Sequence, residues 1–371
     1  MALRYIDWVD KRIQGAVSEV DSGIYRAKKA AYLARTGDVC GAVELIENTK
    51  AIALRRNIVY VAIYATFVDG IIAFYQDLVD EAHDKWNRAK ALSKAAGAVS
   101  ILANTSAWLA HHAFGRFDLR ALEENLSEAF QLVDDDDSEC LSRIFLVLAE
   151  ALHICGDRAL ANEWYTRSRV QALLSGDDAT ISSIMYNRAA MGIACARQEF
   201  LRATPSDIDA RLVMLEAEST DNFDKLIGVV SLENFTPILK AQTYSLAGRF
   251  SDAEAIYAVA LAQEPSKAQM RHRGWLVADR AYCLAKSGSF EKAESLARVA
   301  VEYVSNDIQI DDLAALHSRL STVFDLTNDA SSKNLHSRLA AEYWDQFAEF
   351  LGKLRDTCCK FSNQRNRFPL A

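Results

Sequence analysis

The sequence predicts an all-α solenoid of about eight helical hairpins, preceded by an N-terminal capping helix. The 371 residues include only 15 Gly and 4 Pro, so the composition is rich in helix formers and poor in tight turns. The length exceeds that of one ordinary domain, so the chain either divides into domains or grows by adding units. Small and apolar residues recur with a step of about 40 residues, which favours added units.

The repeat is clearest in residues 246–265 and 284–305. Each segment reads as a helix end, a glycine turn at Gly248 or Gly288, and a second helix that begins with acidic residues. The same phase predicts small or apolar triplets at i, i+4 and i+7 in every second helix: Ala42/Ile46/Thr49, Ala82/Trp86/Ala89, Leu122/Leu126/Ala129, Ala161/Tyr165/Ser168, Ala210/Met214/Ala217, Ala253/Tyr257/Ala260 and Ala293/Ala297/Ala300.

A second residue series supports the same period. Twelve residues before each leading position the sequence carries a small residue, which would let the two helices of a hairpin approach closely. Ala189 joins this series if about nine residues are inserted before Ala210. The other members are Ala30, Gly70, Ala110, Ala149, Ala241, Ala281 and, more weakly, Ser321.

These two series resemble the tetratricopeptide (TPR) family, whose second helix carries small, aromatic and small residues at this spacing. The resemblance covers roughly residues 22 to 350. The period is longer than the family's unit of about 34 residues and is similar to the longer TPR-like repeats of kinesin light chains. The resemblance implies a right-handed superhelix in which the first helices line the concave face and the second helices lie outside.

The predicted organisation follows the repeat. Pro205 and Gly228 mark an irregular stretch where the stack would bend. The predicted parts are a capping helix at 1–21, repeats 1 to 4 with the first helix of repeat 5 at 22–196, an irregular segment with the second helix of repeat 5 at 197–232, repeats 6 to 8 at 233–352, and a loose C-terminal tail at 353–371.

Charge and motifs exclude several classes of function. The net charge of −8 argues against specific nucleic-acid binding or attraction to a membrane. The N-terminus carries charges and has no apolar core, so we expect a cytoplasmic protein. Signatures of phosphate-binding loops, zinc hydrolases and serine hydrolases do not occur. We therefore expect no enzymatic activity, no cofactor and no metal site.

The inward positions of the TPR family predict a concave groove on the first helices. Aromatic and arginine side chains at such positions anchor partners when they are exposed. The alternative, that they pack within and between hairpins, stays open. The predicted groove residues are Tyr64, Phe67, Ile71, Phe74, Trp108, His111, Arg143, Glu150, His153, Tyr186, Asn187, Trp275, Asp279, Tyr282 and Arg319.

We therefore expect a non-catalytic scaffold, adaptor or regulatory subunit that binds a partner protein or peptide in its concave groove. One alternative is a peptide-sensing regulator whose superhelix changes shape on binding. Another is a sensor or adaptor in a multi-protein system, such as a defence or protease/nuclease assembly. An enzyme with an unrecognised site has no supporting constellation in the sequence, and homo-oligomerisation is left open.

Overall fold

The computed structural model describes residues 5–202, 210–233, 235–262, 267–304 and 308–368, and every regular element in these ranges is an α-helix. Helix α1 (Tyr5–Gln14) precedes eight antiparallel hairpins, called units 1 to 8, and a short helix α18 (Gln364–Arg367) follows them. The units are α2 (Glu19–Thr36) with α3 (Val39–Arg55), α4 (Val59–Tyr75) with α5 (Val79–Ala96), α6 (Val99–Gly115) with α7 (Leu119–Leu132), α8 (Ser138–Ile154) with α9 (Arg158–Ser175), α10 (Asp178–Leu201) with α11 (Ala210–Ile227), α12 (Thr236–Leu246) with α13 (Phe250–Ala262), α14 (Lys267–Lys286) with α15 (Phe290–Glu302), and α16 (Ile310–Leu326) with α17 (Ala330–Cys359).

The prediction of an all-α solenoid is confirmed, and the small-residue series explains the packing within each hairpin. The predicted alanines of the first helices, from Ala30 to Ala281, are fully buried. In unit 2 the position is Gly70, where a Cβ atom would lie 2.3 Å from Nε1 of Trp86. A glycine is needed there because the second helix presents its largest side chain to the first. None of the described helices has both the length and the apolar character needed to cross a lipid bilayer.

Aspartates and left-handed turn residues fix where the helices begin and end. Asp38, Asp157 and Asp329 each cap a second helix by accepting a hydrogen bond from the backbone N–H three residues later, at 2.9, 3.2 and 3.0 Å. Gly37 ends α2 with a φ of 103°, a left-handed backbone conformation that glycine adopts easily and residues with a Cβ atom adopt rarely. Capping thus explains the aspartates at the starts of α3, α9 and α17, whereas Asp252 and Glu291 lie in the first turns of α13 and α15, where a carboxylate favours the positive helix end.

Unit 5 departs from the predicted phase. Val213, Ala217 and Thr220 form the buried triplet of α11, whereas Met214 is only half-buried and the side chain of Ala210 lies outside the described residues. The predicted leading position is therefore wrong by three residues, because α10 extends over 24 residues and displaces the next helix along the chain. The predicted irregular segment 197–232 is mostly helical, and Pro205 lies outside the described residues.

The predicted loose tail from residue 353 is wrong. Helix α17 runs for 30 residues to Cys359, and residues 354–368, here called the C-terminal strap, pack back onto units 3 and 4. Phe361 stacks on Phe130, Phe368 lies tilted against the same ring, and Arg367 donates to the backbone carbonyl of Phe130 at 2.6 Å. The apolar spacing of α17 continues past residue 352, which is why the helix does not stop there.

Contacts between distant units wind the solenoid tightly. Arg35 of unit 1 pairs with Asp177 at the start of α10 in unit 5, with a distance of 2.5 Å between Nη1 and Oδ2. Arg197 of unit 5 pairs with Asp312 of unit 8, with 2.6 Å between Nη2 and Oδ1. The inner face of the first helices is consequently covered by other parts of the same chain.

Candidate functional site

The predicted groove residues converge on the inner face, but they are packed there and not exposed. Five of the fifteen are half-buried: Tyr64, Phe74, His111, Tyr186 and Asn187. The other ten are at most 8% exposed. This differs from the expected open aromatic wall, because the tight winding closes the concave side. Their role in binding a partner stays a prediction.

Five predicted residues share the wall of one small cavity on the inner face of units 1 to 5. Its volume is about 50 Å³, and we call it the inner cavity. Its walls come from α1, α2, α4, α6 and α8 and from the start of α10. They consist of Tyr5, Lys28, Ala31, Arg35, Tyr64, Phe67, Ile71, Asn104, Trp108, Glu139, Arg143, Asp177 and Thr180.

Two ion pairs lie along the inner cavity, of which Lys28–Glu139 is half-buried and Arg35–Asp177 is buried. Lys28 Nζ lies 2.8 Å from Glu139 Oε1, which also accepts a hydrogen bond from the Tyr5 hydroxyl at 3.1 Å. Arg35, besides its pair with Asp177, donates to the Thr180 hydroxyl at 2.7 Å. Each of these four charges therefore has an opposite charge beside it, as buried charges require.

Arg143 is the exception in this wall. Its guanidinium lies 4.0 Å from the centre of the Trp108 ring, and its side chain is only 6% exposed. In the part of the chain that the structure describes, it makes no hydrogen bond and has no carboxylate within 4.0 Å. Burial lowers the pKa of Arg143 from its ordinary value. The cavity therefore carries one positive charge that its own walls do not neutralise.

A second group of titratable side chains surrounds Glu150 on α8. Asn187 Nδ2 donates to Glu150 Oε1 at 2.6 Å, and His111 Nδ1 lies 3.7 Å from Oε2. Burial raises the pKa of Glu150 to about 7, and burial together with the charge of Arg143 lowers the pKa of His111 to about 3. Burial lowers the pKa of His153 to about 4. Both imidazoles are therefore neutral near pH 7.

Units 6 to 8 contain a comparable buried network. Arg319 Nε lies 2.6 Å from Asp279 Oδ1, and its guanidinium lies 3.9 Å from the centre of the Tyr282 ring. The Tyr257 hydroxyl donates to Asp279 Oδ2 at 3.1 Å. Asp279 and Arg319 are each 2% exposed. This network holds three of the predicted groove residues, with all their charges paired.

The network that joins units 5 and 8 was not predicted from the sequence. Arg197 pairs with Asp312 and lies 4.8 Å from the centre of the Trp275 ring. The repeat pattern does place Lys28 and Arg35 on the inner face, because they stand two residues before and five residues after the small residue Ala30. The repeat pattern assigns no inward position to Arg197, because this residue lies on the additional turns of the long helix α10. Within the described ranges, no group of three His, Cys, Asp or Glu side chains could hold a metal ion.

An open cleft, here called the acidic cleft, lies beside the inner cavity and shares Tyr5, Lys28 and Glu139 with it. Its volume is about 620 Å³. Leu173 and Leu174 are 57% and 71% exposed on one side. The remaining lining residues are Trp8, Ser100, Asp134, Asp136, Asp137, Ser138, Ser175 and Gly176.

The carboxylates of the acidic cleft differ in what they already contact. Asp137 caps α8 and accepts a hydrogen bond from Asn104 at 3.0 Å, so its role is structural. Asp134 and Asp136 are exposed and form no ion pair with any described residue. The neighbouring Asp135 is taken by Arg367 of the C-terminal strap. Two carboxylates without an ion-pair partner among the described residues thus line the same cleft as two exposed leucines.

Comparison with known proteins gives distant structural likenesses among solved structures. No protein-family model matches the chain, and no curated protein matches it. A solved structure of a signal-transduction ATPase with numerous domains, which carries a tetratricopeptide repeat sensor and comes from Pyrococcus horikoshii, aligns at 15% identity with a TM-score of 0.43. The alignment covers 95% of this chain and 54% of that one, so the chain spans about half of that protein's length. The description of the chain as a TPR-like helical repeat rests on its hairpins and their small-residue series.

Proposed function

We propose that the chain is a non-catalytic binding module of a regulatory kind, which holds a segment of a partner protein in the acidic cleft. The observation that supports this proposal is the cleft itself, whose lining combines exposed leucines with exposed carboxylates. The inner wall offers less room, because ten of its predicted groove residues are at most 8% exposed. The cleft has the size of pockets that bind ligands through a few side chains.

The chemistry of the cleft selects the kind of partner. Its walls carry four carboxylates against one ammonium group, that of Lys28, which is already paired with Glu139. Leu173, Leu174 and Trp8 supply apolar area on the same walls. An extended segment with lysine or arginine beside leucine-like side chains would match both features, since complementary charge guides encounter and apolar contact supplies affinity.

A peptide-display selection on the immobilised full chain tests the proposal. We expect enriched sequences to combine basic and aliphatic residues, and their binding to weaken when salt is raised from about 50 to 500 mM. The double change Asp134→Lys with Asp136→Lys should abolish binding of these peptides, because it reverses the charge of the cleft wall.

Leu226→Asp is the matched control, since Leu226 is 81% exposed on α11 and lies outside the lining of the cleft. It should leave the affinity unchanged. Enrichment of sequences without basic residues, or equal binding to the charge-reversed chain, would refute the cleft as the partner site.

A peptide-sensing regulator is a second candidate, and the buried ion pairs between distant units favour it. Arg35–Asp177 and Arg197–Asp312 hold units together across the inner face. A ligand that binds better when these pairs are rearranged would shift the pitch of the superhelix. Small-angle scattering with a selected peptide distinguishes the candidates: a sensor changes its radius of gyration, and a rigid scaffold does not.

A further inference from the structure

The buried charge of Arg143 suggests a second binding site, in the inner cavity that adjoins the acidic cleft. Nearly all of its side chain is shielded from water, yet its guanidinium has no acceptor among the described residues. Trp108 covers one face of the guanidinium at 4.0 Å, so its N–H groups remain available only along the edges. Arg143 lines the inner cavity, which gives an acceptor a place to bind.

The same chain shows what a buried arginine on an aromatic ring binds when an acceptor is present. Arg319 lies 3.9 Å from the centre of the Tyr282 ring, almost the same distance as Arg143 from Trp108. Its Nε lies 2.6 Å from a carboxylate oxygen of Asp279. In units 3 and 4 no carboxylate side chain takes that position, and the inner cavity lies there instead.

The size and charge of the inner cavity limit the ligand. A volume of about 50 Å³ holds about four water-sized atoms, which matches a carboxylate with one attached carbon. The walls carry Lys28, Arg35 and Arg143 against Glu139 and Asp177, so three positive and two negative charges leave one positive charge. A single negative charge balances it, whereas a phosphate carries about −1.5 to −2 at neutral pH.

We propose that the inner cavity binds a small carboxylate ion, held by the guanidinium of Arg143 where it stacks on Trp108. The carboxylate accepts hydrogen bonds from the guanidinium edge, an arrangement that suits a planar group with two acceptor oxygens. Tyr64 adds a hydroxyl group, which can donate a hydrogen bond, to the same wall. This site does not depend on the partner proposed for the acidic cleft.

Titration of the full chain with sodium acetate, at constant ionic strength against sodium chloride, tests the site. Calorimetry should show saturable binding to one site, and the Nε–H resonance of Arg143 should shift along the same curve. Arg143→Gln should weaken the affinity about tenfold or more, because hydrogen bonds to a charged group are lost. Arg143→Lys keeps the charge without the planar fork and should bind with intermediate affinity.

Arg120→Gln is the matched control, since it removes an exposed arginine on α7 that pairs only with Glu124. It should bind acetate as the wild-type chain does. Circular dichroism shows whether each variant is folded. If Arg143→Gln does not fold, the affinity of Arg143→Lys still tests the site. Lack of saturable acetate binding, affinities within about twofold for wild type and Arg143→Gln, or an Arg143-dependent preference for inorganic phosphate would each overturn the proposal.

Discussion

Arg143 in units 3 and 4 and Arg319 in units 7 and 8 solve the same physical problem differently. Both guanidinium groups are buried on an inner face, and both lie about 4 Å from an aromatic ring. Arg319 is neutralised by Asp279, whereas Arg143 has no carboxylate partner among the described residues. The difference separates a side chain that stabilises the fold from one whose charge is left for something else to satisfy.

The comparison also locates where the chain sacrifices stability. A buried charge without a partner is costly, and a buried pair becomes costly as soon as one member is removed. The paired network of units 6 to 8 therefore stabilises the packing of these units against one another. In the inner cavity, a bound anion would offset the cost of burying the unpaired charge of Arg143.

The largest expected effect comes from exchanging each arginine for methionine. Arg319→Met leaves Asp279 buried without its partner and should lower the free energy of unfolding by about 3–5 kcal/mol. Arg143→Met removes an unpaired charge and should change it by less than about 1 kcal/mol, or raise it. Urea denaturation followed by circular dichroism, in buffer free of carboxylates, measures both values. Equal losses of unfolding free energy in the two variants would contradict the assignment of Arg143 as unpaired and Arg319 as paired.

A smaller effect concerns Glu150, a buried carboxyl on α8 that interacts with the charge of Arg143 without forming an ion pair with it. Burial raises the pKa of this carboxyl to about 7, above the unfolded value of about 4.5. A carboxyl with a raised folded pKa contributes stability that is complete below pH 4.5 and is lost as the pH rises through 7. Glu150→Gln should therefore stabilise the chain at pH 8 by about 3 kcal/mol relative to its effect at pH 4.5.

Thermal denaturation of wild type and Glu150→Gln between pH 4.5 and 8 measures this difference. The wild-type curve should fall toward pH 8 more steeply than that of the variant. Parallel curves would show that Glu150 remains ionised in the folded chain, and would make it the missing counter-charge of Arg143.

The smallest expected effect tests how the two halves pack their hairpins. Gly70 faces Trp86 in unit 2, whereas Ala281 faces a second helix of alanines in unit 7. Gly70→Ala should cost about 1–3 kcal/mol, because its Cβ atom would overlap the indole. Gly115→Ala is the control, since a Cβ atom there meets nothing within 4 Å, and it should be neutral or slightly stabilising. Thermal denaturation compares them, and equal behaviour would contradict the close approach of α4 and α5.

The fold could be predicted because the residues that repeat every 40 positions are the ones that helix packing requires to be small. Ala30 to Ala281 and the triplets of the second helices are small where two helices touch, so sequence spacing translates directly into hairpins. Unit 5 was misplaced because an α10 of 24 residues breaks that spacing. The strap lies beyond the last predicted repeat, where the period gives no guide, and its Arg367 binds the backbone carbonyl of Phe130.

The candidate site could be predicted only in part, for a different physical reason. The phase of a helix shows which side chains point inward, and the structure places Arg143, Asp279 and Arg319 on the inner face, where they are buried. Their predicted role in binding a partner stays a prediction. It does not show how tightly successive units are rotated, and that rotation decides whether an inward side chain is open or covered. The acidic cleft depends on contacts of α1 with later units, which no local pattern encodes.

The C-terminal strap changes how the chain is expected to fold. In an array whose units touch only their neighbours, folding can start anywhere and units can be removed from either end. Here Arg355 donates to the carbonyl of Cys155 at 2.8 Å, and Phe361 and Phe368 complete the packing around Phe130. The ribosome makes units 3 and 4 about 200 residues before the segment that covers them. We therefore expect the middle of the protein to stay partly unpacked until synthesis has passed residue 368, and we expect the strap to couple the unfolding of unit 8 to that of units 3 and 4.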